Sequence, residues 1–200
     1  SMDTAKAIGI IINNPEFADV RSLEGVAPTK NKSVPIIAVP TTAGTGSETT
    51  IAAVVSDPRT HEKYALQDPV LRPKYAVLDP ELTIGLPPHI TSTTGMDALT
   101  HAVEAYLCWT NNTAESIRLA EEAVIAIFKY LERAYNNGSD MEAREEMLKA
   151  SFKAGFAFTR AGVGNVHAIA HTMGRREGQG LHRRDIRHEQ AHGHPRGAAR

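Results

Sequence analysis

The chain has 200 residues, 42% of them hydrophobic and 22% charged, with 22 basic residues against 23 acidic ones for a formal net charge of -1. That composition supports a buried core, and its balanced charge offers neither a nucleic-acid surface nor a membrane-binding face. No apolar run spans a bilayer, no signal peptide opens the chain, and the single Cys108 excludes an internal disulfide or a thiolate metal cluster, so a cytoplasmic protein is expected. Residues 2–13 read as a helix stopping near Asn13-Asn14-Pro15, with Ser1 as its cap and Asp3 in its first turn. Residues 15–33 are polar, with Pro and Gly, and read as a loop. "VPIIAVP" (34–40), fenced by prolines, predicts a buried strand, and "TTAGTGSETT" (41–50) a Thr/Gly/Ser loop. Residues 51–57 and 62–68 predict two strands around a turn at Asp57-Pro58, and residues 74–80 a further buried strand ended by Pro80.

Beyond Pro87-Pro88 the pattern is helical. "GMDALTHAVEAYL" (95–107) reads as the start of a helix, with Met96, Leu99, Val103, Ala105 and Leu107 expected to face the interior. A second helix follows, with Asn112 and Glu115 as a capping pair and Gly138 as its stop; Ser139 and Glu142 cap a third, running to about Thr159. Residues 165–174 predict a short last helix ending at Gly174. From Arg175 the chain is mostly Arg, His, Gly, Glu and Gln, cannot build a core, and is expected to be disordered. The expected organisation is an α/β portion over residues 1–88, a helical portion over 89–174 and an irregular tail over 175–200.

Two histidine-bearing pairs stand out. Asp97 and His101 are four apart on one helix, and His167 and His171 are four apart on another. Inward-facing ligands on two such helices can surround a divalent cation, and imidazole with carboxylate suits Zn²⁺ or Fe²⁺. Two plainer readings stay open: Thr94 with Asp97 also fits a helix-capping box, and a lone buried histidine is commonly a hydrogen-bonded core residue. "PTTAGTGSETT" is the second candidate. Gly44 and Gly46 permit close backbone approach, while Thr41, Thr42, Thr45 and Ser47 offer hydroxyls for a phosphate or ribose, although a polar surface loop would look the same. It is neither a Walker loop nor a Gly-x-Gly-x-x-Gly fingerprint. Lys6 and Lys63 could neutralise phosphate or ribose oxygens there.

Four stretches together resemble the iron-containing (group III) alcohol dehydrogenase family: "SMDTAK", "VPTTAGTGSETT", "GMDALTHAVEAYL" and "GNVHAIAHTMG", in that order. The resemblance runs from residue 1 to about 174. It implies a dehydroquinate synthase-like architecture truncated at both ends, with the C-terminal part of a dinucleotide-binding α/β domain followed by part of an all-α metal-binding domain. It implies hydride transfer between an alcohol and NAD or NADP, with a divalent metal polarising the alcohol or carbonyl oxygen. By the same resemblance Asp97, His101 and His167 are metal ligands, and His171 lies near the nicotinamide, where it can relay protons. Ser1, Asp3, Thr41, Thr42, Thr45, Ser47 and Lys63 then fall in the cofactor site. At the family's fourth ligand position this chain has Leu181, with His182 one residue further on as the candidate fourth ligand. The tail after Gly174 departs from the family's helical continuation, which points to an out-of-frame or artificial end. The implied partner is a small alcohol or aldehyde, without nucleic acid or membrane, and with room for a homo-oligomer. A non-catalytic fragment with incomplete metal and cofactor sites is the alternative.

Overall fold

The computed structural model describes residues 2–26, 29, 31–57 and 63–178, residues 174–178 by backbone alone. Helix α1 (Met2–Asn13) opens the described chain. The strands are β1 (Gly25–Val26), β2 (Ile37–Ala38), β3 (Ala52–Ser56), β4 (Lys63–Gln67) and β5 (Tyr75–Ala76). One sheet has the order β1-β4-β3, with β1 parallel to β4 and β3 antiparallel to it, from Ala52 opposite Gln67 to Ser56 opposite Lys63. A separate parallel pair joins β2 to β5.

The stretch 15–33, expected to be a loop, contains β1 and two short 3-10 turns. A two-residue strand carries too little alternation to be read from sequence. The strands expected over 34–40 and 74–80 shrink to two residues each, and they are not buried throughout. Ile37 is 64% exposed, and Val39, Tyr75 and Val77 are exposed as well. An apolar run of this kind marks a strand suited to cover on both faces, and in the described residues one face of this pair is open.

Helix α1 packs Ala7 and Ile10 against Leu23, Ala53, Tyr64, Leu66 and Leu71. Within the same interface Lys6 is fully buried. Its ammonium donates to the carbonyls of Thr50 (3.1 Å) and Ala52 (2.9 Å) and to the Thr50 hydroxyl (2.8 Å). All three donors are spent on the protein, so Lys6 clamps α1 to the start of β3 and does not serve a phosphate. Burial lowers its pKa to about 8, with Asp3 and Glu48 opposing the fall. The unfolded chain therefore holds this proton up to about pH 10.5, and the folded chain only to about pH 8. Between those values the unfolded state binds more protons, so the Lys6 contribution to stability rises with pH and falls away as pH drops through 8. Relative to Lys6→Met, the wild type gains about 3 kcal/mol over that window, measured by denaturant unfolding at each pH. A difference independent of pH contradicts a desolvated cation.

Helices α2 (Pro88–Leu107), α3 (Ala114–Asn136), α4 (Met141–Ala161) and α5 (Asn165–Gly178) make up the second part. Alanines line the seam between the first three. Ala102, Ala123 and Ala154 form one cluster, and Ala105, Ala120, Ala157 and Ala161 the next. Small side chains let the helix axes approach closely while keeping high helix propensity. For the same reason the larger apolar residues of α2 turn outward. Met96 (51% exposed), Val103 (39%) and Leu107 (70%) do not face the interior as expected, whereas Ala105 does and Leu99 packs at its edge.

Two caps also fall one residue later than the sequence suggests. Thr113 and Ser116 form the reciprocal box that starts α3, while the Asn112 side chain turns back to the Ala105 carbonyl at the end of α2. The carboxylate of Asp140, a stronger acceptor than the Ser139 hydroxyl, takes the Ala143 amide at 3.0 Å to start α4. Helix α5 continues four residues past Gly174, because one interior glycine costs only about 1 kcal/mol and Arg and Glu favour the helix. The rest of the predicted tail, from residue 179, lies outside the described residues. Among the described residues no helix is long and apolar enough to cross a membrane.

Candidate metal centre and the polar loop

Helix α2 starts at Pro88, so Thr94 and Asp97 sit in its interior. The Thr94 hydroxyl donates to the Ile90 carbonyl at 2.8 Å, and the capping-box reading of Asp97 fails. Asp97 lies at the rim of the helical part, and His101, one turn on, is buried. The loop between α4 and α5 returns the chain so that His167, in the first turn of α5, meets them. One ligand atom from each of Asp97, His101 and His167 can be chosen so that all three lie within 4.8 Å of one another.

His167 Nε2 is 3.4 Å from Asp97 Oδ1, and His101 Nδ1 is 4.0 Å from Asp97 Oδ2. The imidazoles stack with centroids 4.3 Å apart, and Phe158 of α4 closes the other face of His101 at 4.1 Å. His101 Nδ1 is buried without a hydrogen-bond partner. An orphaned buried nitrogen is costly, and this one answers the plainer reading of His101 as a satisfied core histidine. It has a lone pair to give, beside a carboxylate and a second imidazole, and that N,N,O set fits a borderline divalent cation such as Zn²⁺ or Fe²⁺. Burial pushes His101 below the ordinary imidazole value, Asp97 pulling it up and His167 adding to the fall.

His171, one turn beyond His167, is exposed, with its ring 5.9 Å from that of His167. It borders the cluster without joining it. His182 and Ser1 lie outside the described residues.

Sequence reasoning missed Glu104. Its buried carboxylate reaches His167 Nδ1 at 2.6 Å and accepts the amides of Gly164 (2.8 Å) and Val166 (2.7 Å) at the start of α5. Burial works to raise its pKa, but the hydrogen bonds from Gly164, His167 and Val166 outweigh it and hold the carboxyl below its ordinary value. A signal was present: Glu104 is three residues from His101 and seven from Asp97, on the same face of α2.

The loop 41–50 borders a cleft of about 450 Å³. Thr41, Thr42, Thr45 and Ser47 line it, together with Met2, Ala5 and the β2 region. Asp3 stands behind this wall, its carboxylate accepting the Ser47 hydroxyl (2.6 Å) and the Val54 amide (2.9 Å). Lys63 begins β4 opposite Ser56 and is not part of the lining. The loop glycines serve a different purpose from the expected approach to phosphate. A side-chain carbon at Gly44 would meet Thr94 of α2 at 2.7 Å, and one at Gly46 would meet the Gly155 backbone of α4 at the same distance. Bare backbone is what allows this loop to lie directly on α2, which carries Asp97 and His101, and on α4, which carries Phe158.

A polar loop seated on a helical bundle and lining a cleft, with an N,N,O cluster on that bundle, makes a candidate metal centre and a candidate binding cleft. Comparison with known proteins gives the class a family. The model for "Iron-containing alcohol dehydrogenase" matches residues 1–80, and that for "Fe-containing alcohol dehydrogenase family, C-terminal" matches residues 91–177. This chain belongs to the iron-containing alcohol dehydrogenase family, with that family's α/β portion followed by its helical one. Lactaldehyde reductase of Escherichia coli (strain K12) is 45% identical over 175 residues, 86% of this chain and 44% of the relative. The NAD-dependent methanol dehydrogenase of Bacillus methanolicus is 43% identical over 174 residues, 87% of this chain and 45% of the relative. Among solved structures, 1,3-propanediol oxidoreductase superposes with a TM-score of 0.82 at 40% identity, covering 87% of this chain and 45% of that one. Sulfoacetaldehyde reductase from Bifidobacterium kashiwanohense in complex with NAD+ gives 0.79 at 36%, covering 88% and 46%. The chain thus spans less than half the length of these relatives.

Proposed function

We propose that this chain carries the metal centre and the nucleotide-facing loop of an NAD(P)-dependent alcohol dehydrogenase acting on a small alcohol, aldehyde or ketone. The orphaned His101 Nδ1 beside Asp97 and His167 carries the reading. Asp97, His101 and His167 hold the cation, and His182 is the candidate fourth ligand. A divalent cation supplies Lewis-acid polarisation of the substrate oxygen, and NAD or NADP carries the hydride. The remaining roles belong to the protein's own groups. The hydroxyls of Thr41, Thr42 and Thr45 orient the cofactor across the cleft, and the family resemblance assigns Ser1 and Lys63 to the same cofactor site. Asp3 acts through Ser47, fixing the loop's shape. Phe158 keeps water from one face of His101, and a ring nitrogen of the exposed His171 passes a proton between substrate and solvent.

Residues 1–88 are then the closing part of a dinucleotide-binding domain, and residues 89–174 the opening part of the metal-binding one. A cytoplasmic homo-oligomer is consistent with this reading. The shared length of under half favours a second reading, that the chain by itself is a non-catalytic fragment. One titration separates them. The metal-loaded chain is expected to bind NADH or NADPH at micromolar concentration and to reduce a small aldehyde until a chelator is added. Binding no tighter than millimolar, without turnover, supports the fragment.

A further inference from the structure

The first turn of α5 begins at Asn165, and its free amides point at the Glu104 side chain of α2, 60 residues earlier in the chain. One oxygen, Oε2, takes the Gly164 amide and faces His167 Nδ1 at 2.6 Å; the other takes the Val166 amide at 2.7 Å. The same carboxylate therefore fixes where α5 starts and which nitrogen of His167 carries the proton. With Nδ1–H donated to Glu104, the Nε2 lone pair is left facing Asp97 at 3.4 Å. Gly164 makes the arrangement fit. A side-chain carbon there would sit 3.0 Å from the Glu104 carboxyl carbon and from Oε1.

We infer that Glu104 is a positioning residue for the metal centre, holding His167 in the Nδ1–H tautomer so that Nε2 is presented to the cation together with Asp97 and His101. This rests on the metal reading above. A carboxylate behind a ligating imidazole fixes ring orientation and raises its basicity, and losing such a partner costs about 10–100-fold in metal affinity. Glutamine at 104 keeps an oxygen for the helix amides, but its NH₂ group cannot accept from Nδ1–H. The ring then favours the opposite tautomer, with the proton on Nε2, where the cation must bind.

The test uses the full chain. With ¹⁵N-labelled histidine at alkaline pH and no metal added, His167 is expected to show the Nδ1–H tautomer, and Glu104→Gln to shift it toward Nε2–H. In competition with a chromogenic chelator, the Zn²⁺ Kd of Glu104→Gln is expected to rise about 10–100-fold. Gly164→Ala displaces the carboxylate without changing its chemistry. It should move both readouts in the same direction by less, which covers the case of a Glu104→Gln protein that does not fold. An unchanged His167 tautomer in these variants overturns the inference. Failure of the wild type to bind Zn²⁺ overturns the metal reading instead, and the tautomer measurement still decides the role of Glu104.

Discussion

Gly155→Val is expected to destabilise the protein by about 3 kcal/mol, the upper end for overpacking a tight interface. A side-chain carbon at 155 would lie 2.5 Å from the Thr49 hydroxyl and 2.9 Å from the Gly46 Cα. Thr49 cannot swing aside freely, because its hydroxyl already donates to the Gly46 carbonyl at 2.7 Å. Gly46 has no slack on its side either, since its own side-chain position already lies 2.7 Å from the Gly155 Cα. The valine must therefore push the loop 41–50 away from α4 as a unit. Because Gly44 of that loop packs on Thr94 of α2, the displacement reaches the helix that carries Asp97 and His101. Denaturant unfolding should show a lower midpoint with an unchanged slope. Gly85→Ala, where a side-chain carbon meets nothing within 4 Å, serves as the near-neutral control.

His101→Phe is expected to separate stability from function. Phenylalanine preserves the stack between Phe158 and His167 and removes the buried, unpartnered Nδ1. Without metal, the variant should be within about 1 kcal/mol of the wild type, because removing the unsatisfied Nδ1 (about 1–3 kcal/mol) offsets the loss of the ring's hydrogen bond to the Gly44 backbone (about 1 kcal/mol). Its Zn²⁺ affinity should nevertheless fall by more than about 100-fold, beyond the range for partners that only support a ligand. Unfolding in the presence of chelator and a chelator competition measure the two halves. A metal-free protein destabilised by about 3 kcal/mol would mean that Nδ1 is satisfied in solution and that the site is a structural network.

The parts of the fold that could be read in the sequence were those with a long, regular period. Helix α1, strands β3 and β4 and the helices α3 and α4 have such a period, and each lies close to its expected span. Strand β1 has two residues and no period, so nothing in its own sequence announces it. The inward face of α2 was misread for a physical reason. Hydrophobic size points Met96, Val103 and Leu107 inward, whereas a close three-helix seam selects alanine and leaves all three outside. Of the candidate ligands, Asp97, His101 and His167 meet, because i,i+4 spacing is a local property and the family resemblance supplied the long-range pairing. Glu104 shares a face of α2 with Asp97 and His101, but its partners, the amides of Gly164 and Val166 and the His167 ring, lie 60 to 63 residues away, and helix spacing encodes no such distant contact. Lys6 was misread in the opposite sense. A lysine near a hydroxyl-rich loop looks available to phosphate until its own acceptors, the backbone and hydroxyl at 50–52, are brought beside it.

The central claim is that Asp97, His101 and His167 together hold a divalent cation. Metal analysis of the purified full chain, beside Asp97→Ala and His101→Ala, tests it most directly. The account predicts Fe²⁺ or Zn²⁺ retained by the wild type and lost from both variants. Metal content unchanged in both variants would contradict it.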